Sequence, residues 1–142
     1  MNYRDATQKD LEAIKGLLDI CNLPSVDCKE HLNNFILVEE NNNIVGVGSL
    51  EVYNNVGLLR SIAVLPNSRN NGVGAIIYEL VEKRALELGV KVLYLLTESA
   101  DEYFSNFGFS LKERNEVPLS IMQTKQFKDI CPSTAKVMYL EL

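Results

Sequence analysis

The stretch Arg69-Asn70-Asn71-Gly72-Val73-Gly74 decides how this chain folds. It follows an apolar run from Val56 to Val64, and it leads into residues whose apolar positions recur at helical spacing. A strand is therefore followed by a helix through a loop with two glycines, and the first amide N–H groups of that helix have no partner within it. Such amides bind anions, and glycine lets a phosphate approach the backbone. The stretch predicts a loop that binds a ligand with a diphosphate group.

Length, charge and cysteine content limit the class of protein. The chain has 142 residues, of which 46% are hydrophobic, and no apolar run reaches the roughly 20 residues that span a bilayer. A net charge of −5 argues against nucleic acid or a membrane surface as a partner. The N-terminus lacks the pattern of a signal peptide and the three cysteines have no CxxC spacing, so a cytoplasmic protein is expected. A single histidine, His31, excludes a histidine-rich metal site, and no metal is expected.

Residue patterns in the first half of the chain predict strands joined by tight turns. A capping box, formed by Thr7 and Asp10, begins the first helix. The asparagines at 41–43 and 54–55 favour hairpin turns, so the strands on either side form an antiparallel meander. Residues 26–32 are ambiguous and could form a second helix capped by Ser25. The strands expected here cover residues 3–6, 35–40, 44–53 and 56–64.

The second half predicts a parallel crossover. A helix over 73–88 that ends at Gly89 leads into the apolar strand 92–96, and strand, helix and strand form a right-handed unit. The remaining expected elements are a helix at 99–106, a strand at 107–113, a helix at 121–128 and a strand at 135–142. The predicted fold is α/β, of the mixed α+β kind. It is a single domain over 1–142 whose mostly antiparallel sheet has one parallel βαβ unit and helices on both faces.

The glycine-containing loop resembles that of the GNAT acetyltransferases, which use acetyl-CoA. Their loop runs Arg/Gln-x-x-Gly-x-Gly/Ala, which is Arg69 to Gly74 here. The strand before it ends in an apolar pair and a proline, here Ile62-Ala63-Val64-Leu65-Pro66. A later aromatic-glycine-phenylalanine element stands at 104–109, and the order of elements agrees with the family from Tyr3 to Leu142. The resemblance implies an acetyl-CoA-dependent N-acetyltransferase.

The same resemblance implies which residues hold acetyl-CoA. The backbone of Ile62 and Val64 would pair with the pantetheine arm like an added strand, and an amide near Ile62 would bind the thioester oxygen as charge develops on it. The side chain of Arg69 would lie near the diphosphate. The residues expected at the cosubstrate are Ile62, Ala63, Val64, Arg69, Asn70, Asn71, Gly72, Val73, Gly74 and Ala75.

A narrower similarity concerns the acceptor. Segments 58–64, 93–97 and 127–133 resemble a subgroup that acts on small amino acids and includes arsenic-resistance N-acetyltransferases. Arg60, which alternates with Leu58 and Ile62, either pairs with a protein carboxylate or serves an anionic substrate, which a guanidinium suits well. The similarity favours the substrate role, with Ser61 and Thr97 adding hydrogen bonds.

The acid and base of the reaction are left open by the sequence. The family usually has a tyrosine as general acid where this chain has Phe104, which has no proton to donate. Its neighbour Tyr103 is the candidate, although it could equally line the edge of the core while water protonates the thiolate. Candidate bases are Glu39, Glu51 and Glu98, or a base relayed by water. Glu51 lies on the less apolar face of its strand, so it is expected to be exposed.

Three functions are consistent with these residues. The leading one is transfer of acetyl from acetyl-CoA to the amine of a small, carboxylate-bearing, amino-acid-like substrate. The second keeps the reaction but uses a polyamine or a protein amine. The third is a non-catalytic acyl-CoA sensor, which Phe104 favours. The final strand and residues 117–132 are where a homodimer contact would form.

Overall fold

The computed structural model describes residues 2–23, 25, 28–29, 31–69, 72–124, 127–128 and 135–142, with Ser61 described by its backbone alone. The strands are β1 (Asn2–Asp5), β2 (Phe35–Glu40), β3 (Asn43–Tyr53), β4 (Val56–Val64), β5 (Val92–Thr97), β6 (Ser110–Lys112) and β7 (Lys136–Glu141). The α-helices are α1 (Leu11–Ile20), α2 (Val73–Glu87), α3 (Asp101–Ser105) and α4 (Leu119–Met122). Short 3-10 helices lie at Gln8–Asp10, Leu32–Asn34, Pro66–Ser68 and Arg114–Glu116.

The strands form a sheet in the order β1-β2-β3-β4-β5-β7-β6. Strand β4 pairs with β5 in parallel, from Val56 with Val92 to Leu58 with Tyr94. The pairs β1–β2, β2–β3, β5–β7 and β6–β7 are antiparallel. The predicted mixed, mostly antiparallel sheet with one parallel crossover is therefore confirmed.

Asparagine and glycine occupy the turns that need a left-handed backbone. Asn41, Asn42 and Asn54 have φ of 52°, 66° and 58°, and they turn the chain from β2 into β3 and from β3 into β4. Gly89 follows α2 with φ of 82°. Both predicted hairpin turns and the predicted glycine at the end of α2 are confirmed, because these residue types accept positive φ at low cost.

The chain divides into two compact units, and the first contains Met1–Glu51 and Leu59–Arg84. Helix α1 packs on one face of this unit's strands, where Ile14 and Leu18 join a buried cluster with Phe35, Val47 and Ala63. Helix α2 packs on the opposite face. Side chains alternate along β3, and the residues on either side of Val47, Gly46 and Gly48, face α2. Helices therefore cover both faces of the sheet in this unit, as predicted.

Two glycines let α2 approach β3 closely. A Cβ added to Gly46 would lie 2.7 Å from Ile77 Cδ1 and 3.0 Å from Val73 Cγ1, and one added to Gly48 would overlap Ile77 Cγ2. Ile77 and Val73 are buried. A larger residue at either position would push the first turns of α2 away from the sheet.

The second unit contains Val52–Leu58 and Ala85–Leu142. Its core is a cluster of Leu58, Tyr94, Val117, Ile121 and Val137, which joins β4, β5 and β7 to the start of α4. No helix in the described parts of the chain is both long and apolar enough to cross a bilayer. Among those same residues, no cluster of His, Cys, Asp and Glu is placed to hold a metal ion.

The start of the chain confirms the predicted capping box and extends it. The Thr7 N–H donates to Asp10 Oδ2 at 2.7 Å, and Arg4 donates to both carboxylate oxygens of Asp10 at 2.8 Å. Asp10 is buried, and the hydrogen bonds from Arg4 hold the pKa of its carboxyl well below its usual value. The arginine joins β1 to the beginning of the first helix, six residues away, a role that the capping pattern did not reveal.

Several predicted boundaries were wrong. Helix α3 and strand β6 are shorter than expected, and α4 begins at Leu119 and ends at Met122. Of the rest of the helix predicted at 121–128, residues 125 and 126 lie outside the described part, and 127–128 are helical, with the Lys128 N–H donating to Thr124 O at 3.0 Å. Within the predicted helix at 26–32, residues 26, 27 and 30 lie outside the described part, and Leu32 begins a 3-10 turn. The Ser25 hydroxyl donates to Asp19 instead of capping a helix. These segments have weak periodicity, so tertiary contacts set their limits.

Candidate functional site

The C-terminal end of β4 has backbone groups that point away from β3. The Leu65 N–H donates to Val45 O at 2.8 Å. Because alternate residues of an antiparallel strand direct their backbone groups to opposite edges, those of Val64 point to the other edge of β4. The Val64 carbonyl there accepts from Arg69 Nε at 3.0 Å and from Cys21 Sγ at 3.4 Å. A pantetheine arm pairing at Val64 would therefore use its N–H.

Arg69 connects the loop to the strand that precedes it. Besides its bond to Val64 O, its Nη2 lies 3.5 Å from Cys21 Sγ. The intervening turn is closed by Ser68 N–H donating to Leu65 O at 2.9 Å. Arg69 is exposed at the protein surface. The structure gives it a role in holding the loop, while its predicted position near a diphosphate stays a prediction.

The loop reaches α2 through a glycine in the left-handed region. Gly72 has φ of 79°, and a Cβ placed on it would have no neighbour within 4 Å. The first hydrogen bond of α2 runs from Ile76 N–H to Gly72 O at 3.1 Å, so the amides of Val73, Gly74 and Ala75 precede it. Helix α2 is 15 residues long and has no acidic side chain in its first turn. This end of α2 suits an anion, and Asn70 and Asn71 lie outside the described residues.

Arg60 and Glu51 form a buried ion pair between β4 and β3. Arg60 Nη1 donates to Glu51 Oε2 at 2.7 Å, and only 3% and 5% of the two side chains are exposed. Of the two alternatives for Arg60, the structure shows the protein carboxylate. The prediction that Glu51 is exposed was wrong, because the arginine on the next strand supplies the counter-charge that lets the carboxylate be buried.

The side chains of β4 change face between Arg60 and Ala63. Arg60 meets Glu51, which shares a face of β3 with Val47, and Ala63 packs in the same cluster as Val47. Ile62 lies on the opposite face, since its Cγ1 would be 3.8 Å from a Cβ on Gly48. The predicted alternation of Arg60 with Ile62 on one face was therefore wrong. The regular alternation of β4 is broken between Arg60 and Ile62, as happens at an irregular step in a strand.

The predicted acid and one substrate residue lie in the second unit. Tyr103 on α3 is 41% exposed, and its ring meets those of Phe104 and Phe107 edge-on at 5.2 Å. Burial raises the pKa of the Tyr103 phenol. The Thr97 hydroxyl accepts the Ala100 N–H at 3.0 Å and so shapes the turn into α3. Tyr103 as the acid and Thr97 as a substrate ligand stay predictions, as does Ser61.

Most of the predicted residues come together in the first unit. Arg60, the end of β4, Arg69 and the first turn of α2 all belong to it. Sequence reasoning missed the contribution of Cys21 at the end of α1, and it did not identify Glu51 as the carboxylate that pairs with Arg60. The pairing of Arg60 with Glu51 had a signal in the sequence. The hairpin turn at Asn54 places Ser49 opposite Arg60, and Glu51 lies two residues from Ser49 on the same face of β3.

The comparison with known families decides the identity of this fold. The sequence model described as the acetyltransferase (GNAT) family matches residues 5–109. The chain belongs to the GNAT family. Enzymes of this family transfer an acetyl group from acetyl-CoA.

Among individual proteins similar to this GNAT chain are one sequence relative and two solved structures of the same fold. An amino-acid acetyltransferase of Pasteurella multocida is 29% identical over 89 residues, which are 61% of this chain and 20% of that protein. The N-acetylglutamate synthase of Neisseria gonorrhoeae, solved with coenzyme A and N-acetyl-glutamate, superposes with a TM-score of 0.86 at 20% identity over 99% of this chain and 35% of its own. Rv2747 of Mycobacterium tuberculosis, solved with CoA, gives 0.82 at 24% identity and covers 100% and 99%. This chain thus spans about a fifth of the first relative's length.

Proposed function

We propose that this GNAT protein transfers the acetyl group of acetyl-CoA to the amine of a small amino-acid-like acceptor that carries a carboxylate. The observation that supports acetyl-CoA binding is the conformation of Gly72, whose φ of 79° directs the loop into the first turn of α2. The acceptor class is supported by the name of the Pasteurella multocida relative and by the N-acetyl-glutamate bound to the Neisseria gonorrhoeae enzyme.

The first unit contributes two elements to the proposed binding of acetyl-CoA. Amides of Val73, Gly74 and Ala75 hold the diphosphate, because they lack helical acceptors and sit at the positive end of the helix dipole. The edge of β4 that faces away from β3 pairs with the pantetheine amides. The proposed amide at Ile62 then binds the thioester oxygen, where negative charge grows as the amine attacks.

The acceptor must lose a proton before it attacks. The α-amino group of a small amino acid has a pKa of about 8 to 9 or above, so most of it is protonated near neutral pH and a base, or a water relay, removes the proton. The buried Glu51 is bonded to Arg60 and so does not serve as this base. The leaving thiolate of CoA takes a proton from Tyr103 or from water.

Arg60 does not enter this proposal as a direct ligand of the acceptor carboxylate. Its guanidinium is bonded to Glu51 and its side chain is buried.

Acetyl-CoA binding and acceptor-dependent release of CoA test the two parts of the proposal separately. Titration calorimetry of the Gly74→Glu variant should show no acetyl-CoA binding, because a carboxylate would face the diphosphate. Glutamate in a first helical turn favours the helix, so loss of binding would not reflect unfolding. The matched control is Leu86→Glu, at an exposed position of the same helix, which should bind normally.

The acceptor panel contains glutamate, aspartate, methionine sulfone, phosphinic and arsinic amino-acid analogues, polyamines and a lysine peptide. Release of CoA with the anionic amino acids supports the proposal. Release only with polyamines or peptide would replace the acceptor class. Acetyl-CoA binding without release of CoA in any mixture would favour an acyl-CoA sensor. Phe104, which cannot donate a proton, agrees with that function.

A further inference from the structure

The buried pair of Arg60 and Glu51 stands at the place where β4 changes its pattern. Arg60 is held to β3 through a 2.7 Å bond on the α1 side of the sheet. Two residues later, Ile62 packs on the α2 side, beside Gly48. Strand β4 therefore has Arg60 on one face and Ile62 on the other, and the regular alternation of its side chains is broken between these two residues.

A buried ion pair is a poor way to gain stability, because desolvation of the two charges offsets most of their attraction. Replacing such a pair by apolar residues of similar volume is often neutral or stabilising, whereas removing one partner leaves an uncompensated charge. What a charge pair can supply that apolar side chains do not is a single alignment of two strands. An apolar β4 could slide by one residue against β3, which would move every later side chain to the other face.

We infer that Arg60 and Glu51 are positioning residues that hold the irregular step of β4, and with it the Ile62 amide, in the alignment needed for acetyl transfer; this inference rests on the proposed function. In this role the pair acts through the backbone of β4 and not as a ligand of acetyl-CoA or of the acceptor. It sets where the N–H of Ile62 points, and an error of about 1 Å in that donor weakens its bond to the developing oxyanion far more than it weakens substrate binding.

The decisive variant is the double replacement Arg60→Met with Glu51→Met, which removes both charges and keeps apolar volume. Urea unfolding should show a folded protein, and calorimetry should show a Kd for acetyl-CoA within threefold of wild type. We expect kcat to fall at least tenfold while the KM of the acceptor changes less than threefold. The matched control removes an exposed pair of the same unit, Arg84→Met with Asp5→Asn, and should leave kcat unchanged.

A second measurement follows the Ile62 amide itself. In labelled wild-type protein, the amide resonance of Ile62 should differ between the CoA and acetyl-CoA complexes, because only the second has a thioester oxygen. In the double variant this difference should be lost. If the double variant does not fold, Glu51→Asp replaces it, since it keeps both charges but withdraws the carboxylate by one methylene. The same tenfold loss of kcat and the same loss of the Ile62 difference are expected.

The outcomes separate the inference from the proposed function. A folded variant with kcat within twofold of wild type would overturn the inference and make the pair purely structural. A large rise in acceptor KM with unchanged kcat would also overturn it, in favour of Arg60 as a substrate ligand. If wild type itself releases no CoA with any acceptor, the proposed function fails, whatever the variants do.

Discussion

Replacing Gly48 by alanine tests the close packing that positions α2. The new Cβ would overlap Ile77 Cγ2 and lie 3.3 Å from Val81 Cγ2, and both of those side chains are fully buried. A β-branched methyl group near the backbone cannot turn aside as the end of a long side chain can. Overpacking of this kind costs about 1 to 3 kcal/mol. At about 3 °C per kcal/mol for a chain of this size, Tm should fall by roughly 3 to 9 °C.

The matched control is the same substitution at Gly16, which lies exposed within α1 and has no atom within 4 Å of an added Cβ. Alanine there should stabilise the protein by about 1 kcal/mol, because alanine is the better helix former. The two glycine-to-alanine changes are thus predicted to shift Tm in opposite directions.

Thermal and urea unfolding of both variants, followed by circular dichroism, check this prediction. A third variant, Gly48→Ala with Ile77→Ala, should be less destabilised than the sum of its single changes, because the clash is gone. A Gly48→Ala protein as stable as wild type would refute the close packing of α2 on β3. So would equal shifts at Gly48 and Gly16.

Three further predictions concern acid stability, the loop and the candidate acid. Because Arg4 lowers the pKa of Asp10, ionised Asp10 stabilises the fold above the unfolded pKa near 4, and this contribution is lost as pH falls below it. In urea unfolding at pH 7, Asp10→Asn should therefore cost about 1 to 2 kcal/mol. A difference between the two proteins that persists undiminished at pH 2 would contradict this. Gly72 and Gly89 both have positive φ and open space around an added Cβ, so alanine at either position should lower the free energy of unfolding by about 1 kcal/mol. Only Gly72→Ala should raise the acetyl-CoA Kd, by tenfold or more in calorimetry. Equal Kd values for the two variants would contradict the assignment of the loop to acetyl-CoA binding. Tyr103→Phe should lower kcat about 10²-fold with little change in acceptor KM, and unchanged steady-state rates would leave Tyr103 as part of the aromatic cluster alone.

The elements with strong local signals were predictable from the sequence. Asparagines at the two hairpins accept positive φ, and Gly72 and Gly89 mark the two ends of α2. These residues act through their own backbone, so a linear pattern is enough to place them. One crossover unit and two short turns then placed β2, β3, β4 and β5 side by side, whereas the positions of β1, β6 and β7 had no such local signal.

The site depended on features that a linear pattern does not contain. Alternation placed Arg60 and Ile62 on one face, but the two side chains lie on opposite faces, and an irregular step within one strand leaves no mark in a linear pattern. Glu51 was expected in solvent because its neighbours on β3 are not strongly apolar, and only the partner on β4 makes its burial tolerable. The bonds of Cys21 and Arg69 to Val64 join residues 43 and 5 positions away along the chain.

The initial rate of CoA release from acetyl-CoA, measured with and without a carboxylate-bearing amino acid, tests the central claim most directly. Labelled acetyl-CoA would show in the same reaction whether the label moves to the acceptor amine. We predict release that saturates with the amino acid, yields the N-acetylated product, and is absent with the corresponding hydroxy acid. Tight binding of acetyl-CoA without any transfer to an amine would contradict the claim.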